Sequence, residues 1–120
     1  MAVAKLGAVV LDCPDPASLA AFYAAVIGGT VESNDPEWVS LTGLPGTQLD
    51  FQRSPGFVPP QWPSDDGAQQ FHLDLTVEDL DAAEQQILAL GAKALDAADR
   101  SRTFRVYADP AGHPFCLCAC

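Results

Sequence analysis

The 120-residue sequence predicts an α+β fold made of two tandem βαβββ modules whose strands form a cupped mixed sheet. Three observations predict it. A block of apolar strand, acidic helix cap, helix and glycine stop occurs twice; short alternating runs follow each helix; and a glycine-containing tight turn recurs at the same place in both halves.

The first strand is read over residues 5–12 (KLGAVVLD), ahead of Asp15 and Pro16. An aspartate followed by proline is a helix start, because the side chain accepts an orphan N–H and proline lacks the N–H that would go unbonded. Leu19, Phe22, Tyr23, Val26 and Ile27 then fall on one apolar stripe, stopped by Gly28 and Gly29. Runs with strand character follow at 30–32, 38–41 and 48–52, with the turn Gly43-Leu44-Pro45-Gly46 before the last. The second half repeats the plan: a strand over 70–77, a cap at Asp79, and a stripe of Leu80, Ala83, Ile87 and Leu90 with Asp81, Glu84 and Gln85 outside it. Gly91 ends that helix, and runs at 93–95, 103–107 and 114–120 follow, with Asp109-Pro110-Ala111-Gly112 as the matching turn. The modules span about 5–53 and 70–120, and the Pro-rich stretch of about 54–69 joins them in one domain covering 1–120.

Alternation sorts the faces. Phe71, Leu73, Leu75 and Val77 should lie under the second helix, leaving His72, Asp74 and Thr76 on the other side. On the last strand Phe115 and Leu117 point inward, while Cys116, Cys118 and Cys120 share the face of His72. Leu49 and Phe51 pack under the first helix, and Asp50 and Gln52 take the second face. The face away from the helices is therefore polar and soft, suited to line a cavity, with Trp62 of the connection either walling that cavity or anchoring the loop. Asp74 beside Asp50 would form a carboxylate pair with raised proton affinity if both face inward; otherwise Asp74 is a solvated strand residue. His113 belongs to the Asp109 turn.

Sixteen acidic residues against six basic ones give a formal charge of −10 and a pI near 4.2. Such a surface repels phosphate backbones and anionic lipid, which excludes nucleic acid and membrane partners and leaves a small neutral or cationic ligand. The apolar run 6–11 is too short for a signal core, and nothing approaches a membrane span, so a cytoplasmic protein with four reduced thiols is expected. Small apolar fillers are the plain reading of Cys116, Cys118 and Cys120; a soft-metal or redox cluster is the alternative.

The duplicated plan and several of its words resemble the vicinal oxygen chelate superfamily of glyoxalases, bleomycin-resistance proteins and extradiol dioxygenases, and within it the glyoxalase-like subgroup. The matching words are Phe22-Tyr23 after Asp15, Gly28-Gly29, HLDLTVEDLDAAE from His72, LGA at 90–92 and DPAGHPFCL at 109–117. The resemblance implies the glyoxalase/bleomycin resistance/dihydroxybiphenyl dioxygenase fold, a homodimer and a small-molecule pocket. It also implies four metal-ligand positions, which fall here on Ala8, Asp50, His72 and Cys116. Ala8 has no donor, and Cys116 stands where the family usually has glutamate. The first reading is therefore a metal-independent binder of a cationic or aromatic ligand through Asp50, Gln52, Trp62, His72, Asp74 and Cys116, with no cofactor. The alternative is a metal-dependent lyase, isomerase or dioxygenase holding Zn, Ni or Fe on His72, Asp50 and Cys116. In either case His72 could act as acid or base.

Overall fold

The computed structural model describes residues 2–62 and 71–119, so the expectations for Cys120 and for residues 63–69 of the Pro-rich connection lie outside the described residues. The element order is βαβββ twice: β1 (Ala8–Cys13), α1 (Pro16–Ile27), β2 (Thr30–Asp35), β3 (Trp38–Thr42) and β4 (Gln48–Arg53), then β5 (Leu73–Thr76), α2 (Leu80–Ala89), β6 (Lys93–Asp96), β7 (Phe104–Ala108) and β8 (Pro114–Cys118). The chain divides into two compact units, Met1–Phe57 and Val58–Cys120. Each holds one four-stranded mixed sheet, ordered β1-β4-β3-β2 in the first and β5-β8-β7-β6 in the second. Among the described residues no helix is long and apolar enough to cross a membrane.

In the first unit Asp15 caps α1, its carboxylate accepting from the Ser18 N–H at 3.3 Å and the Ser18 hydroxyl at 2.7 Å. The helix buries Leu19, Ala20, Phe22 and Tyr23. They meet Val39, Leu41, Leu49 and Phe51 of the sheet, all buried, and the Tyr23 ring stacks on Phe51 with centroids 5.8 Å apart. Gly29, with φ of +90°, must be glycine: a Cβ there would come within 2.7 Å of the Thr42 carbonyl oxygen. Register then fixes the opposite face. Ser40 lies across from both Glu32 and Asp50, and Asp50 across from Val10 on β1. Trp38 pairs with Asp35 on one side and Gln52 on the other.

The second unit follows the same plan with two departures. Its first strand starts at Leu73, and Phe71, expected under the helix, is 87% exposed. The cause is the partner strand: Leu73 pairs with Phe115, so His72 falls opposite Pro114, which has no N–H to give, and Phe71 falls beyond the start of β8. Beneath α2, Ile87 is buried as expected, but Leu90 is exposed because the helix ends at Ala89. Glu84, expected on the solvent side, is instead largely buried. It accepts from the Tyr107 hydroxyl at 2.6 Å and forms two bonds of 3.0 Å with Arg100. β7 brings Arg105 to the same place, where it is 3% exposed and bonds Asp81 at 2.9 Å. The helix-facing side of β7 thus carries charge that needs acids on α2.

The repeated turns are alike: Gly46 and Gly112 have φ of +102° and +105°. At the second, Asp109 Oδ1 accepts the N–H groups of Ala111, Gly112 and His113, and His113 Nδ1 lies 3.0 Å from Asp109 Oδ2. His113 serves that turn. Cys13 and Cys116 are thiols, whereas Cys118 is disulfide-bonded, which corrects the expectation of four reduced thiols.

Candidate functional site

The polar face of the second unit gathers three of the expected residues. Asp74 on β5 pairs directly with Cys116 on β8, so their side chains leave the sheet together on the side away from α2. His72, two residues before Asp74, projects to the same side, and its Nε2 lies 3.2 Å from Asp74 Oδ1. One donor atom from each of His72, Asp74 and Cys116 falls within 4.8 Å of the others. Cys116 is 4% exposed. Burial, then the negative charge and hydrogen bond of Asp74, push its thiol up to about 11, against a weaker opposing pull from Arg102. This thiol is a hydrogen-bond donor at neutral pH.

Trp62, of the Pro-rich connection, stacks on the His72 imidazole with centroids 4.7 Å apart and planes 19° apart. It also lines an apolar pocket of about 410 Å³ with Pro59, Pro60, Leu95 and Ala108. The segment is seated by Pro59 lying over Gly112, where a Cβ would come within 2.5 Å of the proline. Trp62 thus stacks on His72 and lines this pocket, while Pro59 seats the segment. Arg102 was not foreseen. It grips Asp96 through two nitrogen–oxygen contacts of 2.9 and 3.3 Å and lies 4.6 Å over the Phe104 ring. Nothing in its loop spacing signals this, because the pairing depends on where β6 ends.

Asp50 and Gln52 belong to the first unit. Asp50 is 7% exposed, and each carboxylate oxygen accepts one bond: Oδ2 from Trp38 Nε1 at 3.1 Å and Oδ1 from Gln48 Nε2 at 2.8 Å. Gln52 is exposed at the end of the same face. Trp38 and Gln48 went unread in the sequence, although the β3–β4 register, once known, puts both on the side of Asp50. Beside Trp38 the face opens into a cavity of about 660 Å³.

Residues 8–118 match the family model described as a glyoxalase-like domain. No curated protein matches the sequence. Among solved structures, the chain is similar to a glyoxalase/bleomycin resistance protein/dioxygenase family enzyme from Burkholderia phytofirmans PsJN, with a TM-score of 0.70 and 22% identity over 95% of this chain and 97% of that one. A glyoxalase-related enzyme from Fulvimarina pelagi gives a TM-score of 0.67 and 19% identity, covering 97% and 88%. A possible glyoxalase from Bacillus cereus gives 0.70 and 13%, covering 96% and 98%. At these identities the likeness is one of fold.

Proposed function

The chain belongs to the glyoxalase-like domain family, and from that premise we propose that it binds a small molecule on the polar faces of its sheets without the metal cage of its metal-dependent relatives. The observation that carries this reading is the internal commitment of the donors. A metal at the family positions needs a ligand at Ala8, which has none, and a thiolate at Cys116. The Cys116 thiol is instead raised to about 11 and hydrogen-bonds Asp74, which also engages His72 Nε2. These residues do not fit the four-ligand group, so no step is routed through a metal.

What remains is a recognition surface. His72, oriented by Asp74 and Trp62, offers an imidazole edge. Trp62 and its pocket offer an apolar wall, and the polar face of the first unit offers Asp50 and Gln52 by itself. The acidity of the chain favours a cationic or aromatic ligand over an anionic one. The same reading includes a homodimer, as the resemblance implies, and a place in the cytoplasm.

Titration of a panel of neutral and cationic aromatic compounds, followed by tryptophan fluorescence and melting temperature, tests it. At least one compound should quench the fluorescence and raise the melting temperature. Trp62→Ala should weaken that compound about tenfold or more, in the range of a lost aromatic contact. A panel that moves neither signal contradicts the reading.

One observation favours the second reading, a metal-dependent lyase, isomerase or dioxygenase, with one ligand changed: the donor atoms of His72 and Cys116 are close enough to converge on one ion with Asp74, which takes the place expected for Asp50. An N, O and S set suits zinc or another borderline metal and, with three protein ligands, leaves a position open. It requires the thiol to lose its proton on binding.

A further inference from the structure

The cavity of about 660 Å³ in the first unit uses none of the residues singled out in the sequence: it is lined by Glu32, Ser33, Asp35, Trp38, Thr42 and Gln48 with Ser40 at its base. We propose that this cavity is a site for an organic ammonium ion carrying a hydroxyl group, held by Trp38. The proposal deepens the reading above for the polar face of the first sheet, where it shares Asp50, and does not rest on His72 or Trp62.

Three independent features converge there. The first is the Trp38 ring. A tryptophan in mid-sheet ordinarily buries its ring, yet Trp38 is 40% exposed. Its orientation is fixed nonetheless, because its Nε1–H donates to the buried Asp50 carboxylate. A part-exposed indole that lines a cavity and is held by its N–H can attract a cation through the ring quadrupole with little ordering cost on binding.

The second is the placing of charge. In a regular strand, residues 32 and 35 point to opposite faces. A register shift between Glu32 and Asp35 removes that opposition: Glu32 pairs with Ser40 and Asp35 with Trp38, and Ser40 and Trp38 share a face. The irregularity thereby brings Glu32 and Asp35 to the face that carries Trp38, where both line the cavity, with the Asp50 carboxylate at the Nε1 edge of the ring; Asp35 Oδ1 also accepts the Glu37 N–H at 2.9 Å. The basic side chains of this unit are Lys5 and Arg53, and neither lines the cavity; Arg53 is engaged by Glu37 at 3.0 Å.

The third is the floor. Ser40, Thr42 and Gln48 follow each other on the same face across β3 and β4 and offer hydroxyl and amide groups to a ligand hydroxyl. Acid alone would suit any cation. The indole selects a soft, weakly hydrated ammonium over sodium or magnesium, and the hydroxyl floor selects a hydroxylated one.

The experiment is calorimetric titration of the intact protein with choline, and with 3,3-dimethylbutan-1-ol, which has the same shape without the charge. Choline should bind and the neutral isostere should bind at least about tenfold more weakly. Trp38→Leu should lose choline binding about tenfold, and Glu32→Gln, an exposed change that leaves the sheet intact, should weaken it severalfold. In nitrogen-edited spectra, choline should shift the Trp38 indole N–H resonance and leave that of Trp62 in place. Equal binding of the two compounds, no binding of choline, or choline binding that survives both substitutions overturns the proposal. Trp38 also reports in the aromatic panel, so the two readings are separated by their substitutions: Trp38→Leu tests this one and Trp62→Ala the other.

Discussion

At the scale of single residues, Cys116 separates the two functional readings. Its position opposite Asp74 makes the carboxylate the acceptor of its proton, and burial reinforces the neutral form. With the thiol raised from 9.0 to about 11, the thiolate fraction at pH 8 is about a hundredfold lower than that of an ordinary cysteine. Iodoacetamide labelling of Cys116 in the native protein, read by mass spectrometry of its peptide, should be correspondingly slow at pH 8. Asp74→Asn removes the negative charge while keeping the shape, and should speed labelling severalfold. Equal rates in the two proteins would mean that Asp74 does not control the thiol. The pairing of Asp74 and Cys116 on one face was legible, because both strands alternate regularly from Leu73 and Pro114 onward. The grip of Asp74 on His72 was not, since parity says which side a residue takes and not which atom it meets. Phe71 marks the limit of parity: it counts residues correctly but cannot tell where the partner strand stops.

At the scale of elements, α2 and β7 show what a stripe argument omits. The stripe of Ile87 and its neighbours predicted the buried side, but β7 sets Arg105 and Tyr107 beneath the helix, and a buried guanidinium cannot be left without acids. Asp81 answers it from α2 at 2.9 Å and Glu84 at 3.8 Å, and Glu84 has Arg100 and the Tyr107 hydroxyl as its closest partners. The hydrogen bond from Arg100, then that from Tyr107, hold the Glu84 carboxyl below its ordinary 4.5, while burial and Glu84 push the Tyr107 hydroxyl up to about 12. A carboxyl with a depressed value stabilises the fold above its ordinary value and loses that contribution as pH falls through the depressed one. Glu84→Gln keeps the shape and an acceptor but removes the charge. It should cost about 2–3 kcal/mol at pH 7, between a lost charged hydrogen bond and a broken buried pair. Thermal unfolding across pH should show the gap to the parent closing below about pH 4.5, where the parent begins to lose the same contribution. A gap that persists unchanged at pH 3 would assign the loss to shape instead of charge. Helix caps, by contrast, were fully readable: Asp15 and Asp79 each accept the N–H three residues on, because a cap is a local matter of sequence spacing.

At the scale of the whole molecule, the duplicated plan was the strongest signal in the sequence, and the two sheets share the same order and the same mixture of one parallel and two antiparallel pairings. Local spacing suffices for that, since each half repeats cap, stripe and glycine turn. The contents of the two polar faces did not follow from the repeat. The first carries Trp38, Asp50 and an acidic cavity, and the second carries His72, Asp74 and Cys116 under Trp62. This divergence, built on cross-strand partners far apart in sequence, is where the account places function. Its central claim is binding without a metal cage, and metal content read together with ligand affinity tests it most directly. Protein purified without chelator should carry well under one metal ion per chain, and the affinity for the best compound of the aromatic panel should be unchanged by EDTA. One tightly held metal per chain, with ligand binding lost on chelation and restored by Zn²⁺, Ni²⁺ or Fe²⁺, would contradict the account and establish the His72–Asp74–Cys116 cluster as a metal centre.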